Sequence, residues 1–223
     1  MAVTRLPITD TTADGDRAAG LAALTGMVGA PLFGFIVMLL TVLHYDDLAT
    51  MGWHPLRSSS VPWPSALALG PYGWLQTANF VFLGFALIAL GYGLHRGIDG
   101  DRAKAGPLLL AIAGVGLILC GFNVEPDLST PPRTAAGWLH LAGFIIASLA
   151  LLSSFFVLPR RMRHDHRWQD VGRVTLLTGV VALACWAGSF VLPVAQVALY
   201  IFFGAVLVLV LVTAIRLRRI AAV

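Results

Sequence analysis

Between Val171 and Leu217 the chain runs for 47 residues with charge only near its two ends, at Arg173 and Arg216. As a single α-helix this stretch would be about 70 Å long at 1.5 Å per residue. The hydrocarbon core of a bilayer is only about 30 Å thick. The stretch must therefore fold back on itself, and Leu192-Pro193 is the natural place for a tight turn. Further apolar runs lie at about 21–43, 72–94, 106–122 and 135–158. Several of them exceed the roughly 18 residues that argue for a membrane-spanning helix. With the folded-back pair at about 171–192 and 194–217, the sequence predicts an all-α polytopic membrane protein of six transmembrane helices and no soluble domain. Composition agrees: 58% of residues are hydrophobic and 12% charged, against about 25% charged in a soluble domain, and mean hydropathy is +0.83.

The basic residues set the orientation. Of 15 Lys+Arg, only Arg57 and Arg133 fall outside the N-terminal stretch, the 95–105 turn, the 159–173 turn and the C-terminus. Under the positive-inside rule this places both termini in the cytoplasm and the 44–71 and 123–134 loops outside. Residues 1–20 are polar and read as a cytoplasmic tail rather than a signal peptide, and residues 218–223 as a basic cytoplasmic tail. All but one of the basic residues are arginine, which points to a GC-rich bacterial genome and a bacterial plasma membrane. Basic residues spread over short inter-span turns do not form a nucleic-acid surface.

The polar residues inside the spans cluster in depth. Thr41 and His44 close the first span, Gln76 and Asn79 open the second, Asn123 ends the third, His140 lies one turn into the fourth, and Ser189 ends the fifth. Polar groups are costly in lipid and face the bundle interior or a wet cavity. An outward-facing polar pocket, covered by the two outer loops, follows. His140 is its first candidate, as general base, proton carrier or metal ligand. Asp127, Glu125, Asp46, Asp47, His44 and His54 are its possible partners, with Arg57 and Arg133 the outer cations. The set His140, Asp127 and His44 has the chemistry of a divalent metal site such as zinc, although no spacing is diagnostic. The competing reading leaves these groups satisfying one another, with Asp127 or Glu125 paired to Arg133 or capping a helix. Ser58, Ser59 and Ser60 offer a nucleophile without the GxSxG turn of hydrolases. Haem held between His44 and His140 is a further alternative. Cys120 and Cys185 lie in apolar runs and read as small apolar filler.

Three blocks carry a family likeness. They are HPLRSSSVPWPSALALGPYGWLQTANFVFLGFAL (54–87), GFNVEPDLSTPPRTAAGWLH (121–140) and the arginine-rich turn with Trp168. Together they resemble DUF998, a family of six-span bacterial and archaeal membrane proteins without an assigned activity. The resemblance implies a six-helix bundle and directs attention to Ser58 or Ser60, Asn79, Asp127 and His140. Where members of that family carry a polar or basic residue after the fifth span, Gln196 follows Pro193 here.

The expected function is a pocket for a small molecule or lipid headgroup. Asp127 and His140 form its polar core, with His44, Asp46, His54, Ser58, Asn79, Glu125 and Arg133 nearby. The same residues would serve a membrane-embedded hydrolase or transferase acting on a lipid-like substrate, with His140 as base and Asp127 as orienting group. The third class is a structural or partner-binding membrane protein. Membrane lipids and a small-molecule or lipid ligand are the expected partners.

Overall fold

The computed structural model describes residues 11–57, 61–98, 104–125, 127 and 131–222, with side chains from residue 17 onward. Its elements there are α1 (Thr11–Leu43), α2 (Tyr45–Thr50), a 3-10 turn (Ser65–Leu69), α3 (Gly73–Gly97), α4 (Ala105–Leu119), α5 (Ala135–Met162), α6 (Gln169–Gly188) and α7 (Ala195–Ile220). Among the described residues the regular structure is entirely helical. Five helices, α1, α3, α5, α6 and α7, are long and apolar enough to cross a membrane, and the protein is a multi-pass membrane protein by that measure. α4 has 15 residues, about 22 Å of helix, and does not reach the span length by itself. Past its end at Leu119, the carbonyls of Cys120 and Phe122 face the His140 ring.

The six longer helices form a closed ring. α1 packs on α3, α3 on α4, α4 on α5, α5 on α6, α6 on α7, and α7 returns to α1. The fold-back of the 47-residue run falls at residues 189–194, between α6 and α7, around Leu192-Pro193 as its length requires. α1 begins at Thr11, earlier than the apolar run. Ala18, Ala19, Ala22 and Ala23 are strong helix formers, and the last three are buried against the bundle. Large apolar side chains such as Phe35, Val42, Trp74, Leu177 and Phe190 stay exposed on the outside, the arrangement expected where the surrounding medium is lipid.

α3, α4 and α5 touch backbone to backbone. A Cβ added at Gly84 would lie 2.6 Å from the Gly114 carbonyl, and one at Gly116 would lie 2.5 Å from the Ala147 nitrogen. In lipid, helix association depends on such close packing because the surrounding tails are as apolar as the side chains.

One end of the ring is arginine-rich and internally bonded. α5 continues through Pro159 to Met162 and carries Arg161 into a buried position. There its guanidinium donates to the carbonyls of His95 (3.1 Å) and Ile98 (2.5 Å) at the end of α3, a favourable site for a cation. In the α5–α6 turn, Arg167 grips the buried Asp165 at 2.8 Å. Trp168 donates to the Gly97 carbonyl at 3.1 Å, and Arg216 of α7 donates to the Arg167 carbonyl at 2.6 Å. His95, His164 and His166 are exposed at this end.

The opposite end is covered by the described residues of the segment between α1 and α3. It is folded inward: Leu48, Trp53, Val61, Trp63, Ala66 and Leu67 are buried in one cluster with Phe33, Val37, Leu40, Phe80, Leu83 and Cys120. The Trp63 indole donates to Thr41 of α1 at 3.0 Å and its ring meets Tyr200 and Phe203 of α7 edge-on. The Trp53 indole reaches Gln196 of α7 at 3.4 Å.

Candidate functional site

Under this inward-folded segment lies a cavity of about 410 Å³, within the roughly 300–1,000 Å³ of ordinary ligand pockets. Its wall at the lid end carries Ser65, Glu125 and His140. Farther in, Leu87, Ala113, Leu117, Leu151 and Phe202 line it. On α5 the lining runs from Gly137 to Leu151, a depth of about 21 Å along the helix axis. The wall is apolar over most of this depth, with Ser148, Ser189 and Gln196 as further polar contributors. Among the described residues lining it there is no Lys or Arg.

His140 is fixed by its first nitrogen. Nδ1 lies 2.9 Å from the Cys120 carbonyl oxygen and 2.6 Å from that of Phe122. Carbonyl oxygens only accept, so Nδ1 carries the hydrogen. In the neutral ring Nε2 is then the lone-pair nitrogen, and Ser65 Oγ lies 3.0 Å from it, placed to donate. Phe80 packs edge-on against the imidazole.

Glu125 is buried beside the start of α5. Its Oε1 accepts from the Thr134 N–H (2.7 Å), the Thr134 hydroxyl (2.9 Å) and the Arg133 N–H (2.8 Å). Thr134 in turn caps α5 by accepting from Gly137 N at 3.1 Å. A side chain on Gly137 would run into the same carboxylate. These donors, with Thr134 N–H first, hold the Glu125 carboxyl below its usual range. The ionised form therefore favours the fold above the ordinary Glu value of about 4.3, and that gain is lost as pH falls through the lower folded value. The expected result is a wild-type thermal midpoint in detergent that drops between about pH 5 and pH 3 more steeply than that of Glu125→Gln, the variant starting several degrees lower at neutral pH. Parallel slopes would show that the carboxylate does not brace α5.

The remaining candidates are placed as follows. Asp127 is exposed and pairs with the exposed Arg133 at 3.3 Å, a contact of small energetic value in water. It lies outside the cavity wall, and His140 finds backbone carbonyls and Ser65 where an Asp127 partner was expected. His44 is buried, both ring nitrogens lack a hydrogen-bond partner, and it stacks on Tyr72 with centroids 5.9 Å apart. Gly70 has no room for a side chain beside that ring. Asn79 is buried toward α1, where its Nδ2 donates to the Phe33 carbonyl (3.2 Å) and to Gln76 Oε1 (3.3 Å). Asp46, Asp47, His54 and Arg57 are exposed. Ser58, with Ser59 and Ser60, lies outside the described residues. Among the described residues no three His, Cys, Asp or Glu side chains gather as metal ligands, so His140, Asp127 and His44 do not form the expected triad. The residue that sequence reasoning missed is Ser65. Its signal is the Pro62-Trp63-Pro64 stretch before it, which marks a turn ending the loop.

Comparison with the curated proteins and with the solved structures finds no match. Residues 27–218 match the family described as protein of unknown function, DUF998. That range takes in α3 to α6, most of α7, the second half of α1 and each polar residue of the cavity, and the chain belongs to the DUF998 family.

Proposed function

We propose that this protein is a six-pass membrane protein, with both termini in the cytoplasm, that binds an uncharged single-chain amphiphile in the cavity from the outer side of the membrane. Alternation of the helices supports the sixth crossing: α3 and α5 run parallel only if α4 returns the chain between them. The thirteen-to-two distribution of basic residues supports the orientation. The observation that carries the function is the cavity's lining, with Ser65, Glu125 and His140 beneath the lid and mostly apolar side chains, Ser148 excepted, over the rest of its depth. A headgroup would sit against Ser65 and His140 with its chain directed toward Leu151 and Phe202. The lining offers no cation, and Glu125 adds negative charge, so an anionic head would be buried without a partner, which is costly.

The test is retention of a fluorescent monoalkylglycerol ether, a neutral amphiphile with no ester bond, by the detergent-purified protein. Leu199→Trp, which replaces an aliphatic side chain on the wall with a bulky indole, is expected to weaken binding at least about tenfold, the factor given by 1.4 kcal/mol, with its thermal midpoint little changed. A lysophosphatidic acid analogue is expected to bind wild type at least about tenfold more weakly than the neutral probe. Equal binding to wild type and Leu199→Trp would place the amphiphile elsewhere and leave the structural role as the better reading.

A further inference from the structure

We propose that Ser65 is a nucleophile and His140 its general base, and that together they cleave the carboxylic ester of a neutral acyl amphiphile held in the cavity. This rests on the amphiphile-binding reading and adds chemistry to it. The warrant is the line of contacts from the end of α4 through the imidazole to the lid. A base that is to take a serine proton needs a lone pair on the serine side and a donor fixed on the other. Here the Cys120 and Phe122 carbonyls fix the Nδ1 hydrogen, and Nε2 faces Ser65 Oγ at 3.0 Å. The two carbonyls take the orienting place that a carboxylate holds in a serine–histidine–aspartate triad, and they also accept from the imidazolium formed in the reaction. Ser65 opens the 3-10 turn Ser65–Leu69, and both reacting side chains belong to the cavity wall.

The steps balance with water as co-reactant. Ser65 Oγ attacks the ester carbonyl carbon while its proton passes to His140 Nε2. The tetrahedral adduct collapses by breaking the bond to the alcohol oxygen, which leaves with the proton from Nε2. The acyl group is now esterified to Ser65. His140 then takes a proton from water as that water attacks the acyl carbon. Ser65 leaves with the proton, and a carboxylic acid is released. Ester and water become acid and alcohol, with no change of oxidation state.

The experiment is labelling of the full-length detergent-purified protein with an alkyl fluorophosphonate, followed by peptide mapping, beside monooleoylglycerol turnover read by mass spectrometry. The expected result is an adduct on Ser65 that monooleoylglycerol slows, with acid and glycerol released. His140→Asn is expected to slow labelling by about 100-fold or more, the scale of a lost general base. Unmodified Ser65 in wild-type protein that retains the fluorescent lipid overturns the chemistry and leaves the pocket standing. Loss of both labelling and lipid retention overturns both. An adduct on another serine, or one that forms equally fast in His140→Asn, also overturns the pair. Because the adduct is mapped on wild type, a variant that fails to fold does not decide the outcome.

Discussion

Gly143→Leu is expected to prevent recovery of a monodisperse, folded protein. A Cβ at this position would lie 2.6 Å from the Gly116 carbonyl oxygen and 2.8 Å from the Cys120 nitrogen. Both obstacles are backbone, so no rotamer change relieves them. The reciprocal contact, Gly116 against Ala147 N and the Gly143 carbonyl, is as close. Overpacking a core ordinarily costs about 1–3 kcal/mol. Here the whole helix would have to move, which also pulls the Cys120 and Phe122 carbonyls away from His140. Size-exclusion chromatography and thermal melting in detergent measure the effect, with Gly143→Ala expected between wild type and Gly143→Leu. The exposed Leu149 on the same helix supplies the control, since Leu149→Ala should change little. A well-folded Gly143→Leu protein with an unchanged midpoint would mean that α4 and α5 do not meet backbone to backbone.

His140→Ala is the second large effect, expected to cost about 3 kcal/mol through stranded hydrogen-bonding groups. The imidazole bridges two helix-end carbonyls and the lid serine, and alanine leaves all of these without their partner. Asparagine has a donor near the position of Nδ1, so His140→Asn should recover most of the lost stability. It supplies no basic lone pair for Ser65. Thermal midpoints of the three proteins check this order. Equal midpoints for the alanine and asparagine variants would show that the two carbonyl contacts do not hold α5 against α4.

The five long apolar helices were legible because their apolar runs are long relative to a bilayer, and the α6–α7 turn because a 47-residue run admits one solution, a fold-back. Depth was legible too: His44, Gln76, Asn79, His140 and Ser189 do lie toward the lid end. What could not be read was the direction in which each residue faces around its helix. A helix apolar on every side gives no stripe to mark its inner face. Asn79 therefore shared a depth with His140, yet it turns to α1 and bonds Phe33. Asp127 stood out because carboxylates are rare here, but solvent and Arg133 satisfy it. Ser65 was overshadowed by the conspicuous run at 58–60. Its importance comes from the path of the loop, which Trp53 and Trp63 pull across the bundle onto α7 and α1. Such long-range anchoring has no local signature. The carbonyls that orient His140 are backbone groups, and no side-chain motif announces them.

Phe144 and Phe190 belong to the cavity wall and are also 37% and 64% exposed. The cavity thus borders the flank of the protein, near the α6–α7 turn, while Trp53 and Trp63 anchor the segment above it to α7 and α1. On the proposed reading, a ligand slips in sideways from the surrounding leaflet without first dissolving in water. Occupancy would then follow the ligand's mole fraction among neighbouring lipids, and very low aqueous solubility would be no obstacle to loading. Apparent affinities measured in micelles should fall in proportion as detergent dilutes the amphiphile.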